Sequence, residues 1–125
     1  MKAITDDIIA VKPKEFYEYG NLDDLNALYE VKQHEERYKE LNKLTHPKKI
    51  IFQTKSKQPV VRSSLEEYYV TKKSKEFHGD VVVYGNKVGL STLLGKQMSI
   101  IIESEVLADT LRTMFEHIWK NREKD

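Results

Sequence analysis

The stretch from His78 to Trp119, HGDVVVYGNKVGLSTLLGKQMSIIIESEVLADTLRTMFEHIW, sets the strongest limit on what this chain can fold into. It holds three strand-like runs followed by one amphipathic helix. Val81, Val82, Val83 and Tyr84 are β-branched or aromatic, the types that suit a pleated surface. Gly85 and Asn86 follow, and both tolerate the positive φ of a tight turn. Residues 87–94 return as the second run, so the pair reads as a hairpin. Gly95 and Lys96 make the next turn. Residues 98–102 are the third run, apolar enough to predict a central strand covered on both faces. Ser104 is placed to cap a helix, with Glu105 and Asp109 near its positive end. Leu107, Leu111, Met114, Phe115 and Ile118 recur at helical spacings, and Trp119 widens that stripe. Lys120, Arg122 and Lys124 close the helix at its negative end. The stripe is expected to lie on the sheet.

The rest of the composition excludes more than it selects. A chain of 125 residues is expected to form one domain spanning residues 1–125. Lys+Arg and Asp+Glu nearly cancel, at 21 and 20, so the net charge of +1 offers no global attraction for nucleic acid or an anionic membrane. With no cysteine, disulfides, thiolate catalysis and cysteine zinc sites are excluded. No apolar run approaches the ~20 residues that span a bilayer, and the N-terminus lacks the apolar core of a signal peptide. A cytoplasmic protein with no cofactor and no membrane association is the expectation.

Earlier in the chain, Asp6-Asp7 precede Ile8, Ile9, Ala10 and Val11, an apolar run stopped by Pro13 that reads as a first strand. Phe16, Tyr17 and Tyr19 then form an aromatic cluster, either a helical turn or a loop folded over the sheet edge. Asn21 is a good N-cap with Asp23 and Asp24 in the first turn, and Leu22, Leu25, Leu28 and Tyr29 have helical spacing. One long helix is expected over 21–43, ended by Pro47. Residues 49–54 (KIIFQT) read as a strand, and 56–64 as a polar loop. Residues 65–70 are ambiguous: Ser64 with Glu67 suggests a capped helix, Tyr68-Tyr69-Val70 a strand. The order β-α-β-β-β-β-α predicts an α/β fold, a mixed sheet of about five strands with two main helices. Its strand–helix–strand unit implies a parallel pair and its hairpins antiparallel ones.

Three segments, VVVYGNKVGLSTL, SIIIES and VLADTLRTMFEHIWK, resemble the effector domain of TrmB-like archaeal transcription regulators, a relative of one half of the phospholipase D fold. The resemblance rests on Tyr84-Gly85-Asn86-Lys87-Val88 and on Arg112, Phe115-Glu116 and Trp119. The remainder of the chain fits in element order. Such regulators carry a DNA-binding winged helix before this domain. None is visible here, so a stand-alone effector domain, or a fragment of a larger regulator, is expected. The resemblance implies a non-enzymatic regulatory or ligand-sensing domain that binds a sugar or other small molecule and dimerises.

The same relationship provides a residue-level test of catalysis. Phospholipase D chemistry uses a His nucleophile, a Lys two positions on to compensate phosphoryl charge, and a later Asp. His78 stands at the nucleophile position, but Asp80 and Gly85 stand where the Lys and Asp belong. His46-Pro47-Lys48 has the first spacing, without the Asp and before a different strand. A His without its cation is not a phosphodiesterase site, so no enzyme is expected. His78, Asp80, Tyr84 and Asn86 remain candidate ligand-binding residues.

Other groupings have plain readings. His34, Glu35 and Tyr38 could share a helix face, but no second His stands at metal-ligand spacing, so a solvated face is expected rather than a metal site. His117 reads as a surface residue near the helix end. Tyr17, Tyr19, Tyr68 and Tyr69 could line a sugar or aromatic-ligand pocket or cap a modest core, the latter favoured. Lys48, Lys49, Lys55, Lys57, Lys72, Lys73 and Lys75 read as solubilising surface, so direct nucleic-acid binding is not expected. Two further readings stand beside the sensor. One is an interaction module that partners a separate DNA-binding protein. The other is a degenerate phosphodiesterase or nucleic-acid binder.

Overall fold

The computed structural model describes residues 2–28, 48–55, 66–71 and 75–122. Helix α1 (Lys2–Val11) opens the chain, followed by β1 (Phe16–Asn21), α2 (Leu22–Leu28), β2 (Lys48–Gln53), β3 (Glu66–Thr71), β4 (Gly79–Tyr84), β5 (Lys87–Thr92), β6 (Ser99–Glu103) and α3 (Glu105–Lys120). The fold is α/β: one mixed sheet in the order β3-β2-β1-β4-β5-β6, with α1 and α2 on one face and α3 on the other. β1, β2 and β3 are mutually parallel. β4 runs antiparallel to β1, and the β4–β5 and β5–β6 pairs are antiparallel.

Because strand side chains alternate, β1 divides its residues between two cores. Phe16 packs with Ile50, Phe52, Val82 and Tyr84 under Ile4 and Ile8 of α1 and Leu22 and Leu25 of α2. Tyr17 packs with Ile51, Val83 and Val88 under Ala108 and Phe115 of α3. Burying each such side chain contributes about 1.5–3 kcal/mol, so the two-sided strands β1, β2 and β4 anchor the domain.

Several expectations are corrected here. Residues 8–11 are the last turn of α1, not a strand. Ile4 and Ile8 stand one turn apart and are both fully buried on the sheet, so the apolar period is helical and begins before the Ile8-Ile9 pair. The helix stops at Lys12, whose φ is 51° and whose N–H still donates to the Ile8 carbonyl at 3.0 Å; Pro13 follows. The aromatic cluster at 16–19 is neither a helical turn nor an edge loop: it is β1, the third of the six strands and flanked on both sides. Of the ambiguous 65–70 segment, residues 66–70 lie in β3, and Leu65 lies outside the described residues. The sheet has six strands and the described residues three helices, against the five and two expected.

Residue Asn21 does cap α2: its Oδ1 accepts the Asp24 N–H at 3.0 Å. The continuation of that helix to residue 43, Pro47, the 56–64 loop, His34, Tyr38, His46, Lys57, Lys72 and Lys73 lie outside the described residues. β6 is not central. It is an edge strand, with Ile100 and Ile101 50% and 39% exposed. Ser104 caps α3 as expected, accepting the Leu107 N–H at 3.2 Å. The α3 stripe only partly meets the sheet: Ala108 and Phe115 are buried, whereas Leu107, Met114 and Ile118 remain exposed. No helix among the described residues is long and apolar enough to cross a membrane.

Candidate functional site

Parallel strands place their carboxyl ends at one edge of a sheet, where open α/β folds gather ligands. Here Asn21, Gln53 and Thr71 are register partners across the ends of β1, β2 and β3. β4 runs the other way, so its amino end brings residues 75–78 to the same edge. The result is a polar cleft of about 200 Å³ lined by Asn21, Asp23, Gln53, Thr54, Lys55, Thr71 and Glu76.

Its walls are fixed by side chains bonding to backbone. The Asn21 amide donates to the Phe77 carbonyl at 2.8 Å and to Gln53 Oε1 at 3.4 Å. Gln53 in turn accepts the Phe77 N–H at 3.0 Å and donates to the Lys75 carbonyl at 3.0 Å. The 75–77 segment is therefore clamped against two strand ends. Asp23, in the first turn of α2, accepts from the Thr54 hydroxyl at 2.6 Å and from the Lys55 N–H at 2.8 Å. The Lys55 ammonium reaches Glu76 at 3.3 Å, a solvated pair of little energetic weight. Tyr19, which packs on the α3 face of the sheet, stacks on Phe77 with ring centroids 4.8 Å apart.

His78 flanks this cleft. Its Nδ1 lies 2.6 Å from Asp24 Oδ2, and its Nε2 3.6 Å from Glu76 Oε1. A neutral imidazole donating from Nδ1 to Asp24 keeps its lone pair on Nε2. That geometry orients a base, and it equally ties β4 to α2. The described charged groups around His78 are Asp23, Asp24 and Glu76 with Lys55, and Lys75 stands in the same 75–78 segment. The carboxylates offer acceptors to a ligand rich in donors.

The four candidate residues from the sequence are not brought together. His78 sits at the cleft. Asp80 is buried on the face under α1 and α2, where its carboxylate lies over Gly20; a Cβ there would come 2.3 Å from Asp80 Oδ1. Tyr84 and Asn86 are at the far end of β4, about 20 Å from His78 at 3.3 Å per residue. Tyr84 is fully buried, and its hydroxyl donates to Asp7 at 2.9 Å beside the Lys87–Asp7 pair at 3.1 Å. Burial first, and then Asp7, push its phenol well above the usual range. Asn86 is exposed in the hairpin turn, and its carbonyl accepts the Ser104 N–H at 2.9 Å. Tyr84 is thus a clamp holding α1 to the sheet, and Asn86 part of the joint between hairpin and α3.

Sequence reasoning missed Gln53, Thr54 and Glu76 as site residues, and read Asn21, Asp23 and Asp24 as capping groups alone. The signal was available, since a parallel strand–helix–strand unit places its site after each strand. A first strand at 8–11 puts that carboxyl end at Lys12 instead of at Asn21. Of the expected surface lysines, Lys49 pairs with Glu116 at 3.7 Å and lies 5.9 Å over the Trp119 ring. Tyr17 is core, as favoured, with its hydroxyl donating to Glu15 at 2.6 Å; burial and then Glu15 raise its pKa far above normal.

The domain this arrangement defines is an α/β unit with a mixed sheet and a polar cleft at the carboxyl ends of its parallel strands. No protein-family model, curated protein or solved structure matches the chain.

Proposed function

We propose that the chain is a non-enzymatic regulatory domain that senses a small polyhydroxylated ligand, of the sugar class, in the cleft at the carboxyl ends of β1, β2 and β3. One observation carries this reading. Asn21, Asp23, Gln53, Thr54 and Glu76 converge there with an acceptor-rich balance. Hydroxyl groups need acceptors and bidentate amides. The resemblance to TrmB-like effector domains supports the same class of ligand and a regulatory role. The Asp80 and Gly85 positions support a role without phosphodiester chemistry.

Thermal unfolding against neutral sugars, sugar phosphates and nucleotides tests the reading. A ligand at 100 times its dissociation constant adds about 2.7 kcal/mol to the folded state. A neutral sugar is expected to raise the midpoint, with its phosphate ester weaker. Glu76→Gln removes solvated contacts to Lys55 and to His78 Nε2, each of little energetic weight, so it should nearly preserve the unliganded midpoint and weaken the shift. A flat panel, or a shift that Glu76→Gln leaves untouched, would refute the cleft as the site.

A further inference from the structure

Among the described residues, the face of the sheet that carries α3 is only half covered. Strands lie about 4.8 Å apart and packed helices about 10 Å apart, so the six-stranded sheet is roughly 24 Å wide and takes at least two helices across a face. Among the described residues α3 alone lies there. Beside it runs an open apolar groove of about 300 Å³, floored by Tyr19 and Val81 and walled by Leu111, Met114 and Ile118.

Helix α3 has two distinct flanks. Ala108, Phe115 and Trp119 point at the sheet. At 100° per residue, Leu107, Leu111, Met114 and Ile118 form a stripe to one side of that contact. Glu105, Asp109, Arg112 and Glu116 fall on the other side, where Arg112 donates to the Gly85 carbonyl at 2.6 Å and Glu116 meets Lys49. The solvent edge of the apolar stripe is Thr110, His117 and Asn121. In a chain that is 33% charged, this flank carries no Asp, Glu, Lys or Arg over the whole helix. Leu107, Met114 and Ile118 are nevertheless 47%, 56% and 38% exposed.

We propose that a second copy of this chain covers that half-face, its α3 lying antiparallel to the first. The stripe is self-complementary for this operation. A two-fold axis between Arg112 and Thr113 sets Leu107 against the partner's Ile118, and Leu111 against the partner's Met114. No formal carboxylate, lysine or arginine enters the seam, so nothing charged is desolvated, and the two helix dipoles oppose each other. With Ile100 at 50% exposure on the same face, the stripe and groove floor offer on the order of 400 Å² of apolar surface per copy. That is close to the apolar share of a standard interface of roughly 800 Å² per partner. A symmetric pairing buries the same patch on both copies, the commonest oligomer geometry. This inference is independent of the ligand assigned to the cleft.

Sedimentation equilibrium of the full chain tests it, against a monomer mass of 14.7 kDa. The wild type is expected as a dimer in the micromolar range. Ile118→Glu should raise the dissociation constant on the order of 100-fold or more, since it buries two unpaired carboxylates per dimer, with an unchanged circular dichroism spectrum. Leu107→Lys combined with Ile118→Glu in one chain should restore the dimer, because each new lysine then faces the partner's new glutamate. That rescue occurs only for the antiparallel register. A wild type that stays monomeric at high concentration overturns the proposal, as does a dimer indifferent to Ile118→Glu. A monomer whose midpoint is raised by small apolar molecules, and no longer raised in Met114→Glu, overturns it in favour of a ligand groove.

Discussion

Gly89→Ala puts a methyl group where α1 meets the sheet. An ideal Cβ at Gly89 comes 2.9 Å from Ile4 Cγ2, 3.1 Å from Cδ1 and 3.3 Å from Cγ1. Ile4 is 2% exposed and belongs to the main core, so it has little freedom to give way. Overpacking of this kind costs about 1–3 kcal/mol. Against it, replacing a strand glycine returns about 0.4–1 kcal/mol through the unfolded chain. The net expectation is a loss of about 1–2 kcal/mol, some 4 °C per kcal/mol for a chain of this size. Ile4→Ala alone removes all three opposing atoms and leaves a cavity, costing about 2–5 kcal/mol. In that background Gly89→Ala should be neutral or slightly stabilising, because the new methyl enters the vacated space. Urea unfolding of the four proteins closes the cycle, with a coupling of about 1–2 kcal/mol expected. The opposite sign is diagnostic. If α1 did not dock through Ile4, Gly89→Ala would stabilise the wild type and the two changes would simply add. Either result would refute the packing argument and return residues 2–11 to the surface.

Two further outcomes follow from local features. Tyr17 and Tyr84 are buried with phenols raised above the normal 10.0, so between that value and the raised one the folded state holds protons that the unfolded state has released. Their contribution is complete below pH 10.0 and is lost as pH rises further, by up to about 1.4 kcal/mol per pH unit for each. Denaturant midpoints should therefore fall steeply on the alkaline side, and Tyr84→Phe should flatten that fall while costing about 1 kcal/mol at neutral pH for the bond to Asp7. Ser104→Ala removes the side-chain acceptor of the Leu107 N–H. It should lower stability by about 1 kcal/mol, and Ser104→Asp should recover most of it by thermal unfolding.

Local pattern alone carried the second half of the chain. Val81–Tyr84, the Gly85-Asn86 turn and the Ser104 cap were legible because each is decided within a few residues: by β-branching, by a positive φ of 57° at Gly85, and by one side-chain acceptor. The α/β class could be read for the same reason, whereas the parallel pair expected between residues 8–11 and 49–54 is formed instead by β1 and β2. What failed depended on partners far along the chain. Ile8-Ile9-Ala10-Val11 has no strand period or helix period of its own, and only the contact of Ile4 and Ile8 with the sheet selects the helix. Phe16–Tyr19 became a flanked strand because β2 and β4 both pair with it.

The same division holds for the site. His78 could be found from its position before β4, but the residues that join it come from three separate strand ends. Asn21, Gln53 and Thr71 are neighbours through register, which no local signal encodes. The short run SIIIE shows the limit most plainly. Its apolarity was read as burial on both faces, yet hydrophobicity reports only that a surface is unfavourable in water, not what covers it. The sequence by itself determined the class of fold, the turns and the caps, through short-range sterics and hydrogen bonding. Only the tertiary structure decided which strand is central, where the polar residues converge and which apolar residues remain open, since those follow from the order in which distant strands pair.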